Sequence, residues 1–86
     1  MEVRKKSDLK VSIKSRIESI YEGVSYSLTS VNAKGVFDVL PGHANFVALI
    51  SQYVILDKNL LSEKTYKLEK GLLSVSGNVA DVYVDL

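Results

Sequence analysis

Alternation with a period of two residues constrains this chain more than any other feature. Leu9, Val11 and Ile13 alternate with Lys10, Ser12 and Lys14. Val24, Tyr26 and Leu28 alternate with Ser25, Ser27 and Thr29. Such alternation gives a strand one apolar face and one wet face, the requirement of an antiparallel sheet with one side against a core. Further strands are expected over 17–21, 36–40, 44–50, 53–57, 64–68, 72–76 and 79–85. Gly23, Gly35, Pro41-Gly42, Lys58-Asn59, Gly71 and Gly77-Asn78 punctuate them. Breaks at this spacing are the rhythm of a sandwich or barrel. Gly77-Asn78 between two apolar runs reads as a tight hairpin turn. Leu60, Leu61, Lys64 and Leu68 could share a helical face, yet loop plus strand is the better reading of 57–70. The expected fold is therefore all-β: a flattened β-sandwich or barrel of two antiparallel sheets.

The chain has 86 residues, which is one domain's worth. A single domain over 1–86 is expected, with 1–7 as a flexible N-terminal arm. No cysteine is present, so a disulfide frame or a thiolate metal site is impossible. No signal peptide follows Met1, and no apolar run reaches the length of a membrane span. Direct membrane insertion is not expected.

Net charge is +1, which favours no polyanionic partner. Within residues 1–16, six basic side chains face two acidic ones, a balance of +4 that leaves −3 for the rest. This basic end reads as a solvated terminus and a polar strand face. No aromatics are interleaved with it, so the footprint of a nucleic-acid binder is missing.

Catalytic chemistry is thinly represented. His43 is the only histidine, and no serine sits in a nucleophile elbow. Phosphate loops and calcium-type Asp runs are absent. The acidic residues are scattered, so a catalytic carboxylate pair would need a cleft that so small a domain rarely builds. The chain reads as a non-enzyme that docks, with no cofactor, metal or small-molecule substrate.

The most distinctive stretch runs from Gly35 through Val36, Phe37, Asp38, Val39, Leu40, Pro41, Gly42, His43, Ala44 and Asn45 to Phe46. Leu40-Pro41-Gly42-His43-Ala44 resembles the signature of the F-type ATP synthase epsilon subunit, the mitochondrial delta equivalent. Leu9–Ile13, Tyr21–Val24, Ala48-Leu49, Gly71–Val75 and Asn78–Val82 resemble other segments of that family in the same order. Pro41 presets one turn angle, Gly42 supplies freedom at the next position, and His43 would lock the loop by hydrogen bonds. A rigid loop loses little entropy on docking. The chain departs from the family at Lys14-Ser15, at Val36, at Asp38 and at Ile50–Gln52.

The resemblance implies the N-terminal β-sandwich of a central-stalk rotor subunit, coupling the gamma subunit's rotation to the membrane c-ring of a proton- or sodium-translocating synthase. It implies a peripheral location on the cytoplasmic side of the inner or plasma membrane. It implies a c-ring-facing end built from Val36, Phe37, Asp38, Pro41, Gly42, His43 and Ala44. The family's C-terminal helical hairpin has no counterpart before Leu86, so its inhibitory and nucleotide-sensing roles are not expected. The alternative is a stand-alone β-sandwich protein-interaction module unrelated to ATP synthase.

Overall fold

A computed structural model describes residues 8–42 and 44–84. The expected arm over 1–7 lies outside them. Seven strands follow one another: β1 (Leu9–Lys14), β2 (Ser19–Ser25), β3 (Leu28–Asn32), β4 (Gly35–Val39), β5 (Asn45–Leu56), β6 (Lys64–Ser76) and β7 (Val79–Val84). The described residues include no helix, and in particular none long and apolar enough to cross a membrane.

The all-β expectation holds, and the two layers turn out to be one ladder. The strands join in the order β2-β1-β7-β6-β5-β3-β4. Every pair is antiparallel except β1 and β7, which run parallel with Lys10 opposite Val79. The ladder becomes a sandwich because the long β5–β6 hairpin bends. At the bend Gln52 takes a left-handed φ of 74°, and the register skips Glu69 so that Ser51 faces Lys70 and Gln52 faces Leu68. A bulge of this kind turns a strand from one layer into the next. It also reverses which side chains of β6 point inward. Tyr66 and Leu68 pack on the core before it, and Leu73 and Val75 after it.

One layer is therefore β4, β3, the second half of β5 and the first half of β6. The other is β2, β1, β7, the second half of β6 and the first half of β5. Leu9, Val11, Ile13, Leu73, Val75, Ala80 and Val82 from the second layer meet Leu28, Val39, Val54 and Leu56 from the first in a single buried cluster. Tyr21 on β2 and Tyr66 on β6 touch across the gap, with ring centroids 5.9 Å apart.

Two readings of the alternation need correction. The run around Val24–Thr29 is not one strand, because a turn at Tyr26-Ser27 separates β2 from β3. Val24 and Tyr26 are 58% and 60% exposed, while Ser25 is buried. The reason is chemical. Ser25 Oγ donates to Asp57 Oδ1 at 2.8 Å and to Ser27 O at 2.7 Å, so a polar side chain is satisfied where an apolar one was expected. Gly23 and Gly71 lie inside strands rather than at breaks. Gly71 is needed there, since a Cβ would sit 2.9 Å from the Tyr83 carbonyl oxygen.

Candidate functional site

The pairing register brings four connections to one end of the sandwich. Leu9 faces Ser25, Lys10 faces Val79, and Leu28 faces both Val39 and Leu56. The 26–27 turn, the 40–44 loop, the 57–63 loop and the Gly77-Asn78 turn thus lie together. The β4–β5 loop at this end crosses from one layer to the other.

That loop is held by its neighbours. The Gly42 N–H donates to Asn78 Oδ1 at 2.8 Å. The Gly77 N–H donates to Ala44 O at 3.0 Å and to Asn45 Oδ1 at 3.2 Å. The Lys10 N–H donates to Asn78 O at 2.7 Å, adding the start of β1 to the same cluster. Gly77 has a φ of 62°, while Asn78 is not left-handed, as in a hairpin turn whose first central residue alone is left-handed. The Asn78 side chain is then free to serve the Pro41-Gly42 loop. Neither the turn nor the Asn78–Val82 resemblance points to this contact, because it joins positions 36 apart.

A second polar cluster stiffens the same end. Asp57, buried and with a φ of 55°, accepts from Ser25 Oγ and from the Tyr26 N–H at 2.6 Å. Its second oxygen accepts from Ser62 Oγ at 2.6 Å. Burial pushes its carboxyl upward, but the hydrogen bonds from Ser62, Tyr26 and Ser25 outweigh it and hold the group below its usual range. The 57–63 loop therefore stays tied to the 26–27 turn.

The predicted site residues divide between places. Pro41 and Gly42 are half-buried in the loop, and Ala44 is exposed beside them. His43, with its expected locking role, lies outside the described residues. Gly42 does not take a left-handed φ, and a Cβ there would find no closer contact than 4.0 Å, so the freedom expected of it is not used. Val36, Phe37 and Asp38 are not part of the loop but of edge strand β4. Val36 is 60% exposed and lies near the opposite end of β4, roughly 16 Å along the chain from Pro41 at strand rise. Phe37 turns inward against the core. Asp38 points outward, and its Oδ1 accepts from the buried Thr29 Oγ1 of β3. Leu40 is 62% exposed, and Val39 is buried.

The depression lined by Lys10, Ser12, Glu22, Val24, Val79 and Asp81 is a shallow trough on the outer face of β2, β1 and β7. Glu22 and Asp81 stand there on either side of Ser12 in one cross-strand row. Among the described residues, no group of three His, Cys, Asp or Glu side chains is placed to hold a metal ion.

The arrangement defines a class: a small β-sandwich whose two layers share one bent hairpin and whose cross-layer loop is tied at one end. No family model matches the sequence, and no curated protein matches it. Solved structures do match. A chain in the cryo-EM structure of the Euglena gracilis mitochondrial ATP synthase, with OSCP, F1 and c-ring in rotational state 1, superposes with a TM-score of 0.81 at 16% identity, covering 98% of this chain and 54% of that one. A chain in the structure of the Tetrahymena thermophila mitochondrial ATP synthase central stalk and c-ring gives 0.68 at 12% identity, covering 94% and 66%. This chain thus spans about half the length of the first neighbour and just under two thirds of the second. The fold is one found in mitochondrial ATP synthase structures.

Proposed function

We propose that this chain is an epsilon-type, non-catalytic rotor subunit of an F-type ATP synthase. One coincidence carries the reading. The chain has the fold of chains in ATP synthase assemblies over 98% of its length, and its Leu40–Ala44 segment independently resembles the epsilon signature. Neither observation depends on the other, since the identity is only 16%.

In this reading the gamma subunit is clasped by the sandwich, and the end bearing Pro41, Gly42, His43 and Ala44 rests on the c-ring. The domain's contribution is stiffness. A loop bonded to a hairpin turn that is itself bonded to β1, beside a loop tied by Asp57, deforms little when load passes through it. The subunit is peripheral and sits on the cytoplasmic side of the membrane through its partners. Val36, near the other end of β4, fits a ring contact less well than the loop does.

The deciding experiment is co-expression of this chain with the gamma subunit of its own organism. Stoichiometric co-purification, with hydrogen-exchange protection gained on one sandwich face, is the expected result. A folded domain that fails to bind gamma overturns the assignment.

A further inference from the structure

A bent ladder leaves open edges within it as well as at its two ends. β3 pairs with β5 only at Ser51 and from Val54 to Leu56. The first half of β5 pairs with β6 on one side, from Asn45 opposite Ser76 to Ile50 opposite Gly71. Among the described residues no backbone group pairs with the other side of Asn45–Leu49. This segment is an open edge of the second layer.

Its side chains set it apart from the other edges. β2 carries Glu22 at its centre, and Tyr21 Oη reaches back to the Val24 carbonyl. β4 carries Asp38. The first half of β6 carries Lys64, Lys67, Glu69 and Lys70. Charges on an edge strand are the usual guard against edge-to-edge pairing. Asn45, Phe46, Val47, Ala48 and Leu49 include no charge and no proline. Val47 and Leu49 are 65% and 74% exposed, and Phe46 is 37% exposed.

We infer that the free chain associates with a second copy of itself through this edge, Asn45–Leu49 pairing antiparallel with the same segment across a twofold axis at Val47. The edge is self-complementary. Centring on Val47 sets Phe46 opposite Ala48, large against small, and Asn45 opposite Leu49. Every contact off the axis occurs twice, as an isologous interface requires. No like charges meet, whereas a charged partner strand would bury a charge without a counterpart. The pairing closes after two copies, because each copy offers this edge once. An edge of five residues buries little area, so the association is weak and concentration-dependent.

Sedimentation of the purified chain over a wide concentration range, with hydrogen exchange followed on β5, tests this. The expected result is a mass rising from one copy to two, with protection gained at Asn45–Leu49. Val47→Lys places like charges across the axis at an exposed position. It should abolish the dimer while leaving the melting temperature within a few degrees. Mixing Val47→Lys with Val47→Glu should restore a heterodimer. A monomer at every concentration overturns the inference. So does a dimer that survives Val47→Lys, or association that continues past two copies. Protection of this edge by the gamma subunit alone, with the free chain monomeric, also overturns it while leaving the rotor reading intact.

Discussion

Gly42 and Asn78, 36 residues apart in sequence, are joined by an N–H···Oδ1 bond of 2.8 Å that fixes the cross-layer loop to the β6–β7 turn. The donor is a backbone group in a half-buried loop, and the acceptor comes from a turn that would form without it. Asn78→Ala should leave the turn intact and release the loop. We expect a loss of about 1 kcal/mol, typical of one hydrogen bond. Thermal melting measures the loss, and faster amide exchange at Gly42 locates it. If the rotor reading holds, ring coupling should weaken with it.

Asp57 makes the domain sensitive to acid. Its folded pKa lies below the unfolded value of about 3.9. A carboxylate with a depressed pKa contributes stability that is present above the unfolded value and lost as pH falls through the folded one. Stability should therefore decline as pH drops below about 4. Asp57→Asn, which cannot accept from all the same donors, should cost about 1–3 kcal/mol at neutral pH and flatten the acid limb. Denaturation at a series of pH values gives both numbers.

Asp38 has a structural duty besides any docking one. Its carboxylate accepts from Thr29 Oγ1, and Thr29 is 1% exposed. Asp38→Ala strands that hydroxyl and should cost about 1–2 kcal/mol. Asp38→Asn keeps an acceptor oxygen and should cost less. A loss of coupling in the alanine variant alone, tracking its melting temperature, would mean the carboxylate acts through the fold. Equal losses of coupling in both variants would point to its charge.

Two glycines should respond oppositely to alanine. At Gly42 the nearest atom to a new Cβ is 4.0 Å away, and the φ suits any residue. Gly42→Ala should melt within about 1 °C of the parent, well inside the shift that 1 kcal/mol produces. At Gly71 the new atom meets the backbone oxygen of Tyr83 at 2.9 Å, and strand backbone cannot step aside as a side-chain tip can. Gly71→Ala should cost about 1–3 kcal/mol, the usual range for overpacking.

Much of the architecture was legible from residues alone. Leu9, Val11 and Ile13 are all buried, as their alternation required, and Val82 and Ala80 follow the same logic on β7. Local periodicity reads a face; it does not read distance along the chain. The break expected between 50 and 53 falls at the bend, where Gln52 is left-handed, but the skipped Glu69 carries no local signal, since only pairing across the hairpin demands the extra residue. Pairing with β6 continues through the break, so the two segments form one bent strand, β5. Ser25 was misassigned because its partner, Asp57, is 32 residues away. For the candidate site, the loop at Pro41-Gly42 was found from its motif. The residue that braces it, Asn78, carries no signal until the fold brings it near.

The parallel pair of β1 and β7 sets the order in which this domain can be made. Lys10 meets Val79, so the first strand gains its central neighbour only when the last has formed. Until then β1 has only β2, and a lone two-stranded hairpin is marginal in water. A chain emerging from the ribosome therefore carries its first apolar strands without a lasting partner through most of its synthesis. The domain can settle only after residue 84 has cleared the exit tunnel. Slow refolding, set by the long-range pairing of the first strand with the last, is the expected consequence of that one register.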